Sequence, residues 1–211
     1  AGNLWIGTFH GLNRYEKSTG KFQLYTANAN KPDGLTHSSI WCIVKDEQGT
    51  IWLGTYFGGV NYYNPTDDHT SYYEANPDMP HALSFPVVGK MQEDAEHNLW
   101  ICTEGGGLNF LDRQTRQFTR YVHNKGGLSG IGHNNLKCIW LRKETGQLYI
   151  GTHTGGLTIF DTRRKTAHTL KNSPDKANSL PSNVINDLQP YKGKLVLSTQ
   201  AGIVAMNPET E

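Results

Sequence analysis

No long run of one charge sign marks this 211-residue chain: 20 basic and 19 acidic residues leave a net charge of +1. That balance lacks the electrostatic footprint of a protein that tracks nucleic acid or an anionic membrane surface, so no nucleic-acid partner is expected. Cysteine is scarce as well. Cys42, Cys102 and Cys138 make an odd set that cannot pair completely. Each falls inside a strand-like apolar segment, so they read as small buried hydrophobes rather than a disulfide framework or a nucleophile. Long apolar runs are missing too, since no stretch approaches about 18 consecutive apolar residues. The chain opens Ala1-Gly2-Asn3-Leu4-Trp5, without a charged and then apolar leader, so any signal peptide or anchor is expected outside these residues.

What the chain holds in abundance is aromatic and turn residues: 10 Tyr, 7 Phe, 5 Trp, 23 Gly and 9 Pro. This composition suits many short strands joined by tight turns. The chain also repeats. Ile51-Trp52-Leu53-Gly54-Thr55 returns as Leu4-Trp5-Ile6-Gly7-Thr8, Leu99-Trp100-Ile101-Cys102-Thr103, Leu148-Tyr149-Ile150-Gly151-Thr152 and Leu195-Val196-Leu197-Ser198-Thr199. The copies begin at residues 4, 51, 99, 148 and 195, at intervals of 47, 48, 49 and 47. An interval of this size identifies a repeat architecture before any single residue is considered.

Each full repeat reads as four antiparallel strands. In the second copy these are Ile40 to Val44, Ile51 to Thr55, Val60 to Tyr63 and a strand near Thr70 to Tyr73. They are separated by Asp46-Glu47-Gln48-Gly49, Gly58-Gly59 and Asn64-Pro65-Thr66-Asp67-Asp68. Three complete units are expected at residues 40–73, 87–121 and 136–170. Partial units at about 1–25 and 184–207 lack one strand each, as in a piece of a longer array whose broken ends would associate. In the fourth copy the longer linker, from Leu128 to Leu136, places its extra residues in a loop. A four-stranded unit with a Trp in its second strand and Gly-rich turns predicts an all-β fold, a β-propeller of stacked blades. Stacking buries both faces of a blade and so explains an unbroken apolar Leu-Trp-Ile run. A parallel β-helix is the alternative, with shorter rungs and no hairpin turns.

Propeller geometry places the turns between second and third strands on one face of the ring with the linkers between blades. That face would carry Phe9, His10, Tyr56, Phe57, Glu104, His153, Thr154 and Gln200, with His37, His81, Phe85, His133, Asn134, Asn135 and Asn183 from the linkers. The opposite face, with Asp46, Glu47, Asp67, Asp68, Arg113, Arg116, Arg163, Arg164 and Lys165, reads as a solvated mixture. Phe9, His10, Tyr56, Phe57, Glu104 and His153 are the candidate ligand-binding residues, because aromatic rings stack on sugar C–H surfaces while imidazole and carboxylate groups bond hydroxyls.

No metal site or cofactor is expected, because the nine histidines are scattered without a close pair at ligand spacing. No catalytic residue is assigned either. Glu104 is a lone acid on its face, where a glycosidase needs two carboxylates. The Gly105-Gly106-Gly107 run joins strands of a hairpin and opens no helix, so it is poor ground for phosphate binding.

Leu180-Pro181-Ser182-Asn183-Val184-Ile185, Asp46-Glu47-Gln48-Gly49-Thr50-Ile51-Trp52-Leu53-Gly54-Thr55, Gly11-Leu12-Asn13-Arg14-Tyr15 and Lys21-Phe22-Gln23-Leu24-Tyr25 together resemble the two-component regulator propeller repeat. The resemblance covers nearly the whole chain. It implies the periplasmic sensor region of a Bacteroides-type hybrid two-component histidine kinase, held in the inner membrane and responding to glycan-derived oligosaccharides. It also implies as partners an oligosaccharide, further blades, the kinase module and a second copy in a homodimer. This segment would itself be non-enzymatic. The rival readings are a propeller lyase or glycosidase and a structural interaction module.

Overall fold

A computed structural model describes residues 2–28, 34–64, 69–123 and 130–210, apart from the His69 side chain. Leu128 and the turn residues 65–68, with Asp67 and Asp68, lie outside the described residues. Among those described every element is a strand, and the strands form five separate antiparallel sheets in strict chain order.

The first sheet holds β1 (Leu4–Thr8), β2 (Gly11–Glu16) and β3 (Lys21–Tyr25). The second holds β4 (Ile40–Lys45), β5 (Ile51–Thr55), β6 (Val60–Asn64) and β7 (His69–Tyr73). The third holds β8 (Val88–Glu93), β9 (Leu99–Thr103), β10 (Leu108–Asp112) and β11 (Gln117–Tyr121). The fourth holds β12 (Leu136–Arg142), β13 (Gln147–Thr152), β14 (Leu157–Asp161) and β15 (Thr166–Leu170), and the fifth β16 (Ile185–Tyr191), β17 (Lys194–Thr199) and β18 (Gly202–Met206). Neighbouring sheets meet through their first strands, β4 with β8, β8 with β12 and β12 with β16, while β1 stands against β4. This is a partial β-propeller, with its first strands innermost.

The core is divided into four apolar clusters, one at each junction between successive blades. That division accounts for the Leu-Trp-Ile run. Ile51 and Leu53 pack toward the first blade with Leu12 and Ile40, whereas Trp52 between them packs toward the third with Met91, Leu99 and Phe118. Leu99 and Ile101 likewise join that second junction, and Trp100 joins the next beside Leu148, Ile150 and Phe160. Side chains alternate in direction as a strand requires, but both directions are interior. Each such side chain contributes about 1.5–3 kcal/mol of burial, so the two-sided run makes the second strand the main adhesive between blades.

The cysteines fit the same packing. Cys42 and Cys138 are equivalent, opposite Gly54 and Gly151 in the register; the third blade has Lys90 and Cys102 at these two positions. A Cβ on Gly54 would lie 2.5 Å from the Cys42 sulfur, so one member of the cross-strand pair must be minimal. Lys90 turns outward instead, and the second strand can then hold a thiol. All three cysteines are free and buried; desolvation pushes Cys42 and Cys138 up to about 12 and Cys102 higher than its ordinary value as well. Such thiols are poor nucleophiles. At the ends of the array Phe22, Leu24 and Ile203 are 64%, 58% and 81% exposed.

Candidate functional site

The main chain assembles the linker face. In each complete blade the last residue of the second strand is a threonine whose hydroxyl donates to a glycine carbonyl four residues on: Thr55 to Gly59, Thr103 to Gly107 and Thr152 to Gly156, at 2.8–2.9 Å. The same oxygens accept from the N–H groups of Gly58, Gly106 and Gly155. The second glycine is obligatory, since Gly59, Gly107 and Gly156 have φ of +71, +77 and +86° and a Cβ there would strike the carbonyl ending the fourth strand. These turns then bond to the following linker, Gly59 N–H to Pro86 O, Gly107 N–H to Asn134 O and Gly156 N–H to Asn183 O.

The linkers are held from below by polar residues inside the third strands. Fully buried Asn61 and Asn109 accept from Thr36 N–H and Ser84 N–H at 2.9 Å, and Thr158 accepts from Gly132 N–H at the same distance. His37 and His133 close the linkers locally, each ring Nδ1 accepting the N–H two residues later, from Ser39 and Asn135. Two of the scattered histidines are therefore turn caps. No group of three or more His, Cys, Asp or Glu side chains suited to a metal forms among the described residues.

With the backbone satisfied internally, the candidate side chains stand clear of it. Tyr56 and Phe57 come together, their rings 4.6 Å apart and edge to face, 38% and 56% exposed. They are joined by Trp41, stacked on Tyr56 at 4.8 Å and 16°. Phe9 is 73% exposed and His10 is exposed, both on the first blade, and His153 is exposed on the fourth. Glu104 is not a free acid: Lys137 Nζ lies 2.7 Å from its Oε1. The structure thus brings Tyr56 and Phe57 into one aromatic shelf and ties Glu104 to a lysine. It leaves Phe9, His10 and His153 on separate turns. Trp41 and Lys137 are absent from the sequence-derived set. Both lie at one position of the repeat, which runs Trp41, Gly89, Lys137, Asn186, each directly after an aliphatic residue, Ile40, Val88, Leu136 or Ile185.

The opposite face departs from a solvated mixture. Asp46 is buried: its carboxylate accepts Thr50 N–H and the Trp52 indole N–H at 2.8 Å and meets Arg113 of the next blade at 2.9 Å. Arg113 also covers the Trp52 ring, 5.1 Å from its centroid. The reason is the indole N–H, which once buried needs an acceptor. Asp94 serves Trp100 in the same way at 3.1 Å, and burial raises its pKa. Lys165 lies over Trp100 at 5.0 Å, its pKa lowered by burial. Glu47 receives Lys143 of the fourth blade at 2.8 Å, and Glu93 receives the Glu47 N–H and His97. Glu47 and Lys143 are exposed, but together these groups form a clasp across three blades.

The two-component regulator propeller family model matches residues 34–57, a span from the linker between the first and second blades through the Tyr56 and Phe57 turn. That span is one copy of the five-fold repeat, and it is the part of the chain similar to the family model. No curated protein matches the sequence significantly. Among solved structures, the extracellular domain of the hybrid two-component system BT4673 of B. thetaiotaomicron superposes with a TM-score of 0.79 at 22% identity, over 97% of this chain and 26% of that one. The extracellular domain of the hybrid two-component system BT3049 of the same organism gives 0.72 at 23% identity, over 99% and 32%. Virginiamycin B lyase of Staphylococcus aureus gives 0.63 at 14% identity, over 100% and 68%. The chain therefore spans about a quarter to a third of the two-component chains it matches.

Proposed function

We propose that this chain is part of the extracytoplasmic, ligand-sensing propeller of a hybrid two-component regulator, and that its ligand is an oligosaccharide bound on the linker face. The supporting observation is the Trp41, Tyr56 and Phe57 shelf, three partly exposed rings joined through Tyr56 on a face whose turns are already held by main-chain bonds. Free energy that would otherwise come from burying those rings in the protein is available for a ligand. In the intact sensor, binding would act by favouring one arrangement of propellers or protomers over another, which requires different affinities for the two.

The rival enzymatic reading draws on the fold shared with the lyase. It is weakened by Glu104, the one acid that the sequence places in the turns of this face, because its Oε1 is already engaged by Lys137 Nζ at 2.7 Å and a lone carboxylate does not make a glycosidase pair. Incubating the full-length protein with oligosaccharides and following both binding heat and product by chromatography tests the choice. Saturable heat with intact ligand is expected. Cleavage or elimination products would overturn the sensor reading.

A further inference from the structure

Each of the four innermost strands is bulged at the same place, between Ile40 and Cys42, Val88 and Lys90, Leu136 and Cys138, and Ile185 and Asp187. The residue skipped by the ladder is Trp41, Gly89, Lys137 or Asn186. A β-bulge re-aims one side chain without disturbing its neighbours, and here it does so four times at the linker-face end of the inner strands. The flanking ladder pairs are almost uniform, with Ile40, Val88, Leu136 and Ile185 opposite Thr55, Thr103, Thr152 and Thr199. The expelled residues share no property: an indole, no side chain, an ammonium and an amide.

We infer that these expelled residues, Trp41, Lys137 and Asn186 with Glu104, form the specificity-determining surface at the inner rim of the linker face, and that it takes a neutral saccharide. The inference rests on the proposal that the chain binds a sugar and adds which residues select it. Trp41, stacked on Tyr56, offers a ring face to one sugar unit. Gly89 leaves the intervening inner strand without a side chain. Lys137, Glu104 and the exposed Asn186 supply donors and acceptors for hydroxyls beyond it. The charges argue for neutrality. Lys137 is compensated by Glu104 at 2.7 Å, and Lys90, next to the bulge residue Gly89, faces Asp187 of the fifth blade at 4.0 Å. Neither lysine is left unopposed for a carboxylate or sulfate. Just before the inner strands, the Ser39 hydroxyl and the Asn135 amide oxygen are buried with no hydrogen-bond partner among the described residues, a polar lining beneath the rim.

The test is calorimetric titration of the full-length protein with neutral gluco-, manno-, xylo- and galacto-oligosaccharides and with uronate- and sulfate-bearing oligosaccharides. It is repeated for Trp41→Ala, Trp41→Phe and Lys137→Met, with Arg164→Ala on the opposite face as reference and thermal melts as the check on folding. A neutral ligand is expected to bind. Trp41→Ala and Lys137→Met should each weaken it about tenfold or more, while Trp41→Phe and Arg164→Ala stay within about threefold. Binding of a neutral sugar that ignores both Trp41→Ala and Lys137→Met would overturn the assignment of the rim yet leave the sensor reading standing. So would binding confined to acidic sugars. No binding in either panel would overturn both.

Discussion

The two faces of this propeller fragment solve the same problem, holding blade to blade, with different atoms. On the turn face, side chains do it: Asp46 reaches Arg113, Glu47 reaches Lys143, and Trp52 and Trp100 are covered by cations from the next blade. On the linker face, glycine N–H groups and linker carbonyls do it at each complete blade, through Gly59, Gly107 and Gly156, with the Glu104–Lys137 pair as a side-chain link at one junction. A face joined by side chains cannot vary them freely. A face joined by main chain can, and the turns from Tyr56 to Phe57, Glu104 and His153 to Thr154 vary from blade to blade. The division of labour explains how one repeat can keep its fold while changing what it presents.

Removing Asp46 should break the turn face most severely. Asp46→Ala leaves the Trp52 indole, the Thr50 N–H and the partly buried Arg113 guanidinium without their carboxylate. A loss of about 3 kcal/mol is expected in chemical denaturation, because the buried indole and backbone N–H groups lose their acceptor and Arg113 is left with the more distant Glu93 carboxylate at 3.6 Å. Ligand affinity of the folded protein should not change. A loss below about 1 kcal/mol would mean that side chains are not what joins blades there. Thr103→Val, nearly isosteric, is the matching cut on the linker face. It deletes the bonds to Gly106 and Gly107 and should cost about 1–2 kcal/mol. Because it also loosens the turn that carries Glu104, it should weaken ligand binding, which Asp46→Ala should not do.

The strand order, the blade plan and the propeller class are legible in the five copies of one pentapeptide, because both-sided burial forces an apolar run that recurs at the blade interval. The span similar to the family model, residues 34–57, contains the second copy. Less visible is the difference between solvated and buried charge. Asp46 and Asp94 each stand six residues before a buried tryptophan, a spacing that two copies share, and the indole N–H explains why. Asn61 and Asn109, polar residues directly after the first apolar residue of their strands in two copies, carry a similar signal. Trp41 was hidden for a different reason. In an alternating strand it counts as core, and a bulge leaves no mark in composition; only comparison between repeats, Trp to Gly to Lys to Asn, exposes it. Phe9, His10 and His153 share a face alone, and a shared face does not bring side chains together across blades.

The exposed ion pair on the turn face sharpens the comparison at smaller amplitude. The Lys143 hydrogen bond and charge hold the Glu47 carboxyl below its ordinary value of 4.5. A carboxylate depressed in the folded state contributes its stabilisation above the unfolded value and loses it as pH falls through the folded one. Wild type and Glu47→Gln should therefore differ in melting temperature above about pH 4.5 and converge in more acidic buffer. The difference should shrink in high salt, since both side chains are solvated. A gap that persists in acid would place the contribution of Glu47 outside its charge.

The smallest expected effect on stability is also the one that separates the faces best. Phe57 is 56% exposed and touches Tyr56 edge to face at the outer side of the shelf. If the linker face is joined by main chain, Phe57→Ala should leave stability within about 0.5 kcal/mol, as for surface positions that anchor nothing. Its cost should appear only when a ligand is added, as lost affinity in the same preparation. A core-sized loss of about 3 kcal/mol without ligand would instead make the shelf part of the packing between turn and linker. The side chains of the linker face would then be structural like those of the other, and the contrast between the two faces would fail at its most exposed residue.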